Sequence, residues 1–337
     1  MEESTGTPAT PQTLSARAAL PSGREQRQAQ SKVGGKTPRM TLPDPVQLAL
    51  PAFVLLLLVE VFVGRWRGTV AYELRDAAAS LAMGMGNLAA GALAGGAVLA
   101  AMHWVHQFRL FEIGYGWWAF ALIFFAEDFC YYVFHRWSHE VRWLWCAHVN
   151  HHSSQHYNLS TALRQTWTGF VAGGWLIWLS LAAIGFPPAL IVFQKGVSLV
   201  YQFWIHTEAI GRLPAPIEYV FNTPSHHRIH HAVNPRYLDR NYAGILIIWD
   251  RMFGTFVPED KLEPCRYGIV KQLDTFNPLR IAFHEWWAML RDAARAPGIA
   301  ARLGFLFAPP GWQPDGNGMT SARIRALDAA ARQRQAH

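Results

Sequence analysis

Apolar positions in this chain come in long blocks rather than in an alternating register. The first block, Val46 to Gly64, is long enough at about 1.5 Å per residue to cross a bilayer as a helix. A second runs from Ala77 to Met102, with glycines and alanines that suit close helix packing. A third, Tyr115 to Phe134, ends directly at His135. Trp167 to Phe186 and Ala189 to Trp204 form a fourth and fifth, with Gly185-Phe186-Pro187-Pro188 as the turn between them. Beyond Trp204 the sequence becomes polar. Pro224 marks a helix start there, since its missing amide hydrogen is harmless at that position. Tyr242 to Phe256 reads as a buried loop or a short strand pair. Residues 1–42, rich in Ser, Thr, Pro, Gln, Gly and Arg, have the composition of a disordered tail. No apolar core follows the first methionine closely enough for a cleavable signal. The segment Ser321 to Gln335 reads as a basic Ala/Arg helix, a solvated or membrane-facing appendage.

Composition sharpens the membrane reading. Hydrophobic residues are 51% of the chain and charged residues 16%, with 15 Trp, 20 Phe and 10 Tyr. The net charge of +7 suits a surface facing anionic lipid; no nucleic-acid-reading module accompanies it. Three cysteines, Cys130, Cys146 and Cys265, give neither a disulfide framework nor zinc-knuckle spacing.

The chemistry lies in the histidines. His-x-x-His-His occurs at His148, His151 and His152, and again at His227, His230 and His231; the pair His135 and His139 precedes both. Positions i, i+3 and i+4 share a helix face, so each group can aim its nitrogens at one point. Neutral imidazole is the commonest metal ligand. Four ligands complete a structural zinc site, and eight exceed that need, which suggests two metals. The isolated His103, His106, His284 and His337 carry no such signal; His156 and His226 flank the boxes as ligands or as partners of ligands. Asp128 stands two helical turns before His135 in an apolar span, where an acid is a functional candidate by default. Its expected task is to accept a ligand imidazole's second hydrogen. Glu208 is a catalytic candidate with three roles open to it, binding metal directly, holding a ligand or moving a proton, and support of the metal centre is the expected one. Glu127 and Glu140 are expected to pair with Arg136 or Arg142, and Asp239 and Asp250 with Arg240 and Arg251. Histidine and carboxylate ligands without thiolate favour non-haem iron. No Gly-rich dinucleotide fingerprint is present, so electrons must come from outside.

The boxes must share a compartment, so an even number of crossings separates them, and the hairpin 167–204 supplies two. The basic tail favours a cytoplasmic start. Three full crossings before His135 would then place the boxes outside; a half-span or an interfacial lie for one early segment reconciles the two, and the sequence does not choose which.

The stretch Glu127-Asp128-Phe129 through His135-Arg136-Trp137-Ser138-His139, with His148 to Ser154, resembles the fatty acid hydroxylase and sterol desaturase superfamily. Tyr157 to Gln165, Tyr201 to Glu208, Asn222 to His231 and Asn241 to Asp250 narrow the resemblance to the branch that cleaves alkylglycerol ether lipids, over roughly residues 115–280. The resemblance implies an all-α, multi-pass integral membrane protein with a histidine-rich di-iron helical domain at the cytoplasmic membrane face; a composition rich in Ala, Arg and Gly points to a bacterial inner membrane. Domain limits are expected at 1–42, 43–285 and 286–337. The family's boxes fall on His135 and His139; on His148, His151 and His152; and on His227, His230 and His231. Its His-Thr-Glu unit falls on His206 and Glu208. The implied activity is an O2-dependent lipid hydroxylation beside an ether oxygen, giving a hemiacetal that falls apart into an aldehyde and glycerol. Two Fe ions, a membrane lipid, and an external donor (a tetrahydropterin, or a cytochrome or ferredoxin reductase chain) are the implied cofactors and partners. Sterol or fatty-acyl desaturation or hydroxylation is the nearest alternative reading. A metal transporter or zinc-binding scaffold is the alternative of a different class.

Overall fold

The computed structural model describes residues 42–68 and 70–335, so the tail expected over 1–42 lies outside the described residues except for Leu42. Helix α1 spans Pro45–Arg67. Asp44 caps it by accepting from Val46 N and Gln47 N, Pro45 fills its first turn, and Gly68 at φ 64° closes it in the left-handed region. Helices α2 (Leu74–His106) and α3 (Trp117–Glu140) follow. At 23, 33 and 24 residues, α1–α3 are the three helices among those described that are long and apolar enough to cross a membrane. Most of their large apolar side chains face outward, among them Leu58, Phe62, Leu88 and Phe125.

The fourth apolar block departs from the expectation of one crossing helix. It forms three short pieces: α5 (Gly169–Ala172), a 3-10 turn (Gly174–Trp178) and α6 (Leu179–Ile184). Gly173 breaks the run at φ 75°, and the space a Cβ would need on Gly174 is filled by the Phe134 ring. Close packing against α3 therefore overrides apolar periodicity here. The turn at 185–188 forms as expected, and α7 (Pro188–Trp204) opens on Pro188. Its 17 residues reach about 25 Å, short of a full hydrocarbon core.

Trp178, Phe186, Leu190, Ile191, Ile123 and Met102 form the main apolar cluster between α2, α3 and the 174–204 hairpin. Lipid tails are as apolar as these side chains, so their burial distinguishes the fold less than close packing and polar contacts do. Such contacts recur. Trp167 lies where a Cβ on Gly86 would stand, and its indole N–H donates to Met83 O at 2.9 Å. Buried Glu60 of α1 accepts from Leu159 N at 2.8 Å and from the Tyr72 and Thr207 hydroxyls. Buried Arg164 joins its guanidinium to Asp76, Ser80 and Ser153.

The remaining helices among the described residues are α4 (Arg142–His152), α8 (Ala215–Val220), α9 (Pro224–His230), α10 (Ile248–Met252), α11 (Pro278–Arg295), α12 (Ile299–Phe307) and α13 (Ser321–Gln335). Pro224 does start a helix. Residues 242–256 form a buried loop carrying α10; isolated bridges, Phe221 to Leu246 and Ala232 to Tyr267, take the place of a strand pair among the described residues. The expected boundary after residue 285 falls inside α11. That helix is tied to α4 by Arg142, which donates to Glu285 at 2.7 Å and Asp292 at 2.9 Å. Helix α13, expected as a solvated or membrane-facing appendage, has no buried residue and is tethered by Arg325, which donates to Leu238 O at 2.7 Å, and by Arg332, which donates to Glu263 at 3.1 Å.

Candidate metal centre

His135 and His139 occupy the last turns of α3, His148, His151 and His152 the last turns of α4, and His227 and His230 lie on α9 with His231 as its C-cap. His206 follows α7 by two residues. The i, i+3, i+4 spacing puts each set on one face, and the helix ends converge. The nine rings sort into two adjoining groups. His135, His139, His148, His152 and His230 form one; His151, His206, His227 and His231 form the other, each with ligand atoms within 4.8 Å of one another. All nine residues expected as ligands are present, and the boxes mix: His151 and His152 are neighbours in sequence but serve different groups.

Inside the groups, imidazole nitrogens face one another without protein acceptors between them. The Nε2 atoms of His135 and His148 are 3.0 Å apart, those of His230 and His152 3.1 Å, and those of His227 and His206 3.0 Å. Buried His139 Nε2, His227 Nδ1 and His231 Nε2 have no partner. Buried polar atoms are normally satisfied, so lone pairs converging in this way fit bound cations. Burial first, then the neighbouring imidazoles, holds His148, His151, His152, His227, His230 and His231 well below the ordinary imidazole value; burial brings His206 down to about 4. These rings are neutral at physiological pH, the form that ligates.

The second nitrogen of most rings is fixed by the protein. Nδ1–H donates from His135 to Tyr242 O (2.7 Å), from His206 to Gln202 O (2.7 Å), from His230 to Arg240 O (3.0 Å) and from His151 to Arg164 O (3.3 Å). Such bonds leave Nε2 as the ligand atom and set the ring's orientation. His139 alone has a carboxylate in this place: its Nδ1 lies 3.1 Å from Asp239 Oδ1. Burial pushes the Asp239 carboxyl up, but the His139 bond and charge, the Ser321 bond and the Arg325 charge together hold it below its ordinary value.

Asp239 was expected to pair with Arg240, and Asp128 was expected in the role Asp239 holds. Asp128 instead accepts from Ile245 N (2.7 Å), Leu246 N (3.0 Å) and the Trp249 indole (2.9 Å). It fastens the 242–249 loop, whose Tyr242 carbonyl in turn orients His135. Gly244 is needed there, because a Cβ would stand 2.9 Å from Asp128 Oδ1 and 2.8 Å from the Tyr131 ring. Asp250 takes Tyr242 N and Ala243 N at 2.8 Å each rather than Arg251. Glu140 does pair with Arg136 at 2.9 Å, whereas Glu127 accepts from the Trp178 indole at 3.1 Å. Glu208 accepts from the Tyr267 hydroxyl at 3.0 Å and stands outside both histidine groups. His226 pairs with Glu218 at 3.0 Å; neither it, His156, His103, His106 nor His284 joins a group, and His337 lies outside the described residues. Glu60 and Asp76 escaped the sequence reading, although an acid inside an apolar block was a signal for the former.

A cavity of about 680 Å³ opens beside His148. Ser138, Leu144, Ala147 and Phe134 line its histidine end; Ala90, Gly91, Ala94, Gly95 and Val98 of α2 line its length. From Asn87 to His103, α2 rises about 24 Å along it. Its wall is mostly apolar, and no Cβ contact lies within 4 Å of Gly91 or Gly95, so these glycines leave open room.

Residues 120–255 match the fatty acid hydroxylase family. The chain is 39% identical to alkylglycerol monooxygenase of Xenopus tropicalis over 279 residues, 81% of this chain and 60% of that one. It is 38% identical to alkylglycerol monooxygenase of Homo sapiens over 277 residues, 81% and 61% of the two chains. It is 29% identical to ornithine lipid hydroxylase OlsE of Rhizobium tropici over 129 residues, 38% and 39% of the two. The chain thus spans about 60% of the length of these two alkylglycerol monooxygenases. No solved structure matches it.

Proposed function

With a fatty acid hydroxylase domain at residues 120–255 as the premise, we propose that this protein is a membrane lipid monooxygenase that holds two iron ions and cleaves alkylglycerol ether lipids. The observation that carries the reading is the pair of buried histidine groups beside a long apolar cavity. Identity to alkylglycerol monooxygenases over 81% of the chain supports the ether-lipid substrate. Three apolar helices support a membrane location. We place the centre at the cytoplasmic face of a bacterial inner membrane, where a reduced external donor, a tetrahydropterin or a reductase chain, is available; the Ala-, Arg- and Gly-rich composition supports the bacterial membrane, and a cytoplasmic start for the basic tail agrees with this face when one of α1–α3 is a half-span or lies along the interface.

Iron held by these nine histidines would supply the activation of dioxygen and the oxidising power to break a carbon–hydrogen bond. The protein's own residues supply position. His135, His151, His206 and His230 are locked by carbonyl acceptors and His139 by Asp239, so the rings need little reorganisation. Asp128 and Asp250 hold the loop that bears the Tyr242 carbonyl. The cavity wall takes the alkyl chain, excludes water and leads the carbon beside the ether oxygen towards His148.

The test is lipid mass spectrometry on cells carrying the intact protein or its His230→Ala or His151→Ala variant, grown under heavy-isotope dioxygen. The expected result is heavy oxygen in a fatty aldehyde or lipid with the intact protein and none with either variant. Loss of two hydrogens without label would replace hydroxylation by desaturation. Retained activity in either purified variant would overturn that ligand.

A further inference from the structure

We infer that helices α11 and α12 form an interfacial anchor, embedded in the anionic headgroup plane of the same bilayer that holds α1–α3. Stepping about 100° per residue, Leu279, Phe283, Trp287 and Leu290 fall within an arc of about 80°. All four are exposed, Trp287 at 71%. Ile299, Leu303 and Phe307 repeat the pattern on α12, again exposed. The exposed Arg280, Arg291 and Arg295 occupy the next sector of α11, on one flank of the apolar stripe. The opposite side carries buried Ile281, Ala282 and Met289, with Glu285 and Asp292 bound to Arg142. Apolar stripe, cationic flank and protein-facing side in that order are the arrangement of a helix lying in a membrane surface.

Two observations point to lipid as the occupant. The stripe is continuous with a spanning surface: the Phe283 ring lies 6.3 Å from Trp167, which fills the Gly86 notch of α2 between outward-facing Met85 and Leu88. The arginine flank matches anionic headgroups in sign, and basic residues close to such a surface are attracted to it. The anchor also has a mechanical consequence. Arg142 opens α4, and α4 carries His148, His151 and His152, so the depth of α11 sets the height of the metal centre above the lipid.

The experiment places nitroxides on the full chain at Trp287→Cys and Leu303→Cys, with Leu262→Cys on an exposed loop as control, in a Cys265→Ser background; Cys130 and Cys146 are buried. Each variant is first required to keep the parent's iron content. In phosphatidylcholine–phosphatidylglycerol nanodiscs, power saturation at 287 and 303 should respond several-fold more to oxygen than to a water-soluble nickel chelate, with the reverse at 262. Removing phosphatidylglycerol, or combining Arg280→Gln with Arg291→Gln, should move the 287 label towards water. Labels open to the nickel chelate throughout would overturn the anchor. Protection from both reagents with dipolar broadening would assign the face to a second copy instead, and depth indifferent to lipid charge would overturn the anionic assignment.

Discussion

Asp239→Asn tests how far the protein tunes its own ligands. Asp239 sits at φ 52°, a left-handed conformation that asparagine shares with aspartate, so the substitution removes charge without straining the backbone. The amide oxygen can still accept the His139 Nδ1–H, now 3.1 Å away, but no longer as an anion. A carboxylate in this position makes the opposite ring nitrogen a stronger ligand, and losing such a partner typically costs about 10–100-fold in metal affinity or activity. Because an acceptor remains, the lower end is expected: about tenfold, or about 1.4 kcal/mol. Only the group of His135, His139, His148, His152 and His230 should weaken. Competition with a chelator, read as iron retained per chain, should therefore show the release of one ion shifted to lower chelator concentration and the other unchanged. Iron retention indistinguishable from the parent, with unchanged turnover, would refute the role of Asp239.

Glu60→Leu strands the Tyr72 and Thr207 hydroxyls and Leu159 N; at about 1–3 kcal/mol for each buried unsatisfied donor, the loss should be about 3 kcal/mol or more, seen as a lower unfolding temperature in detergent. Gly95→Phe should project a ring into open cavity space, cutting turnover of long-chain lipid at least tenfold while iron content stays constant; unchanged turnover would move the substrate elsewhere. Acid should destabilise the metal-free protein in two stages. His206 falls to about 4 when folded, so the unfolded chain takes the proton first and stability drops as pH falls from about 6.5 towards 4. Burial pushes Glu218 up, but bonds from His226, Ser225, Leu213 N and Thr223 bring it down to about 2, so its stabilisation is lost between about 4.5 and 2. Denaturant midpoints across pH read both; a midpoint flat between pH 7 and 4 would contradict the histidine stage.

The sequence by itself determined the apolar blocks, the turn at 185–188, the start of α9 and all nine histidines that meet. These are local facts: a helix period puts His148, His151 and His152 on one face wherever that helix goes. Only the tertiary structure decided how the nine divide. His151 joins His206, His227 and His231, while His152 joins His230, because adjacent residues on a helix point about 100° apart and face different partners. The supporting carboxylates were likewise hidden. Asp239 is 100 residues from His139, and Asp128 is 117 residues from Ile245. Its place two turns before His135 suggested a direct bond, which loop 242–249 intercepts. The fourth block read as a crossing because its composition is apolar throughout; what breaks it is the Phe134 ring pressing on Gly174, a contact between segments that no local pattern encodes.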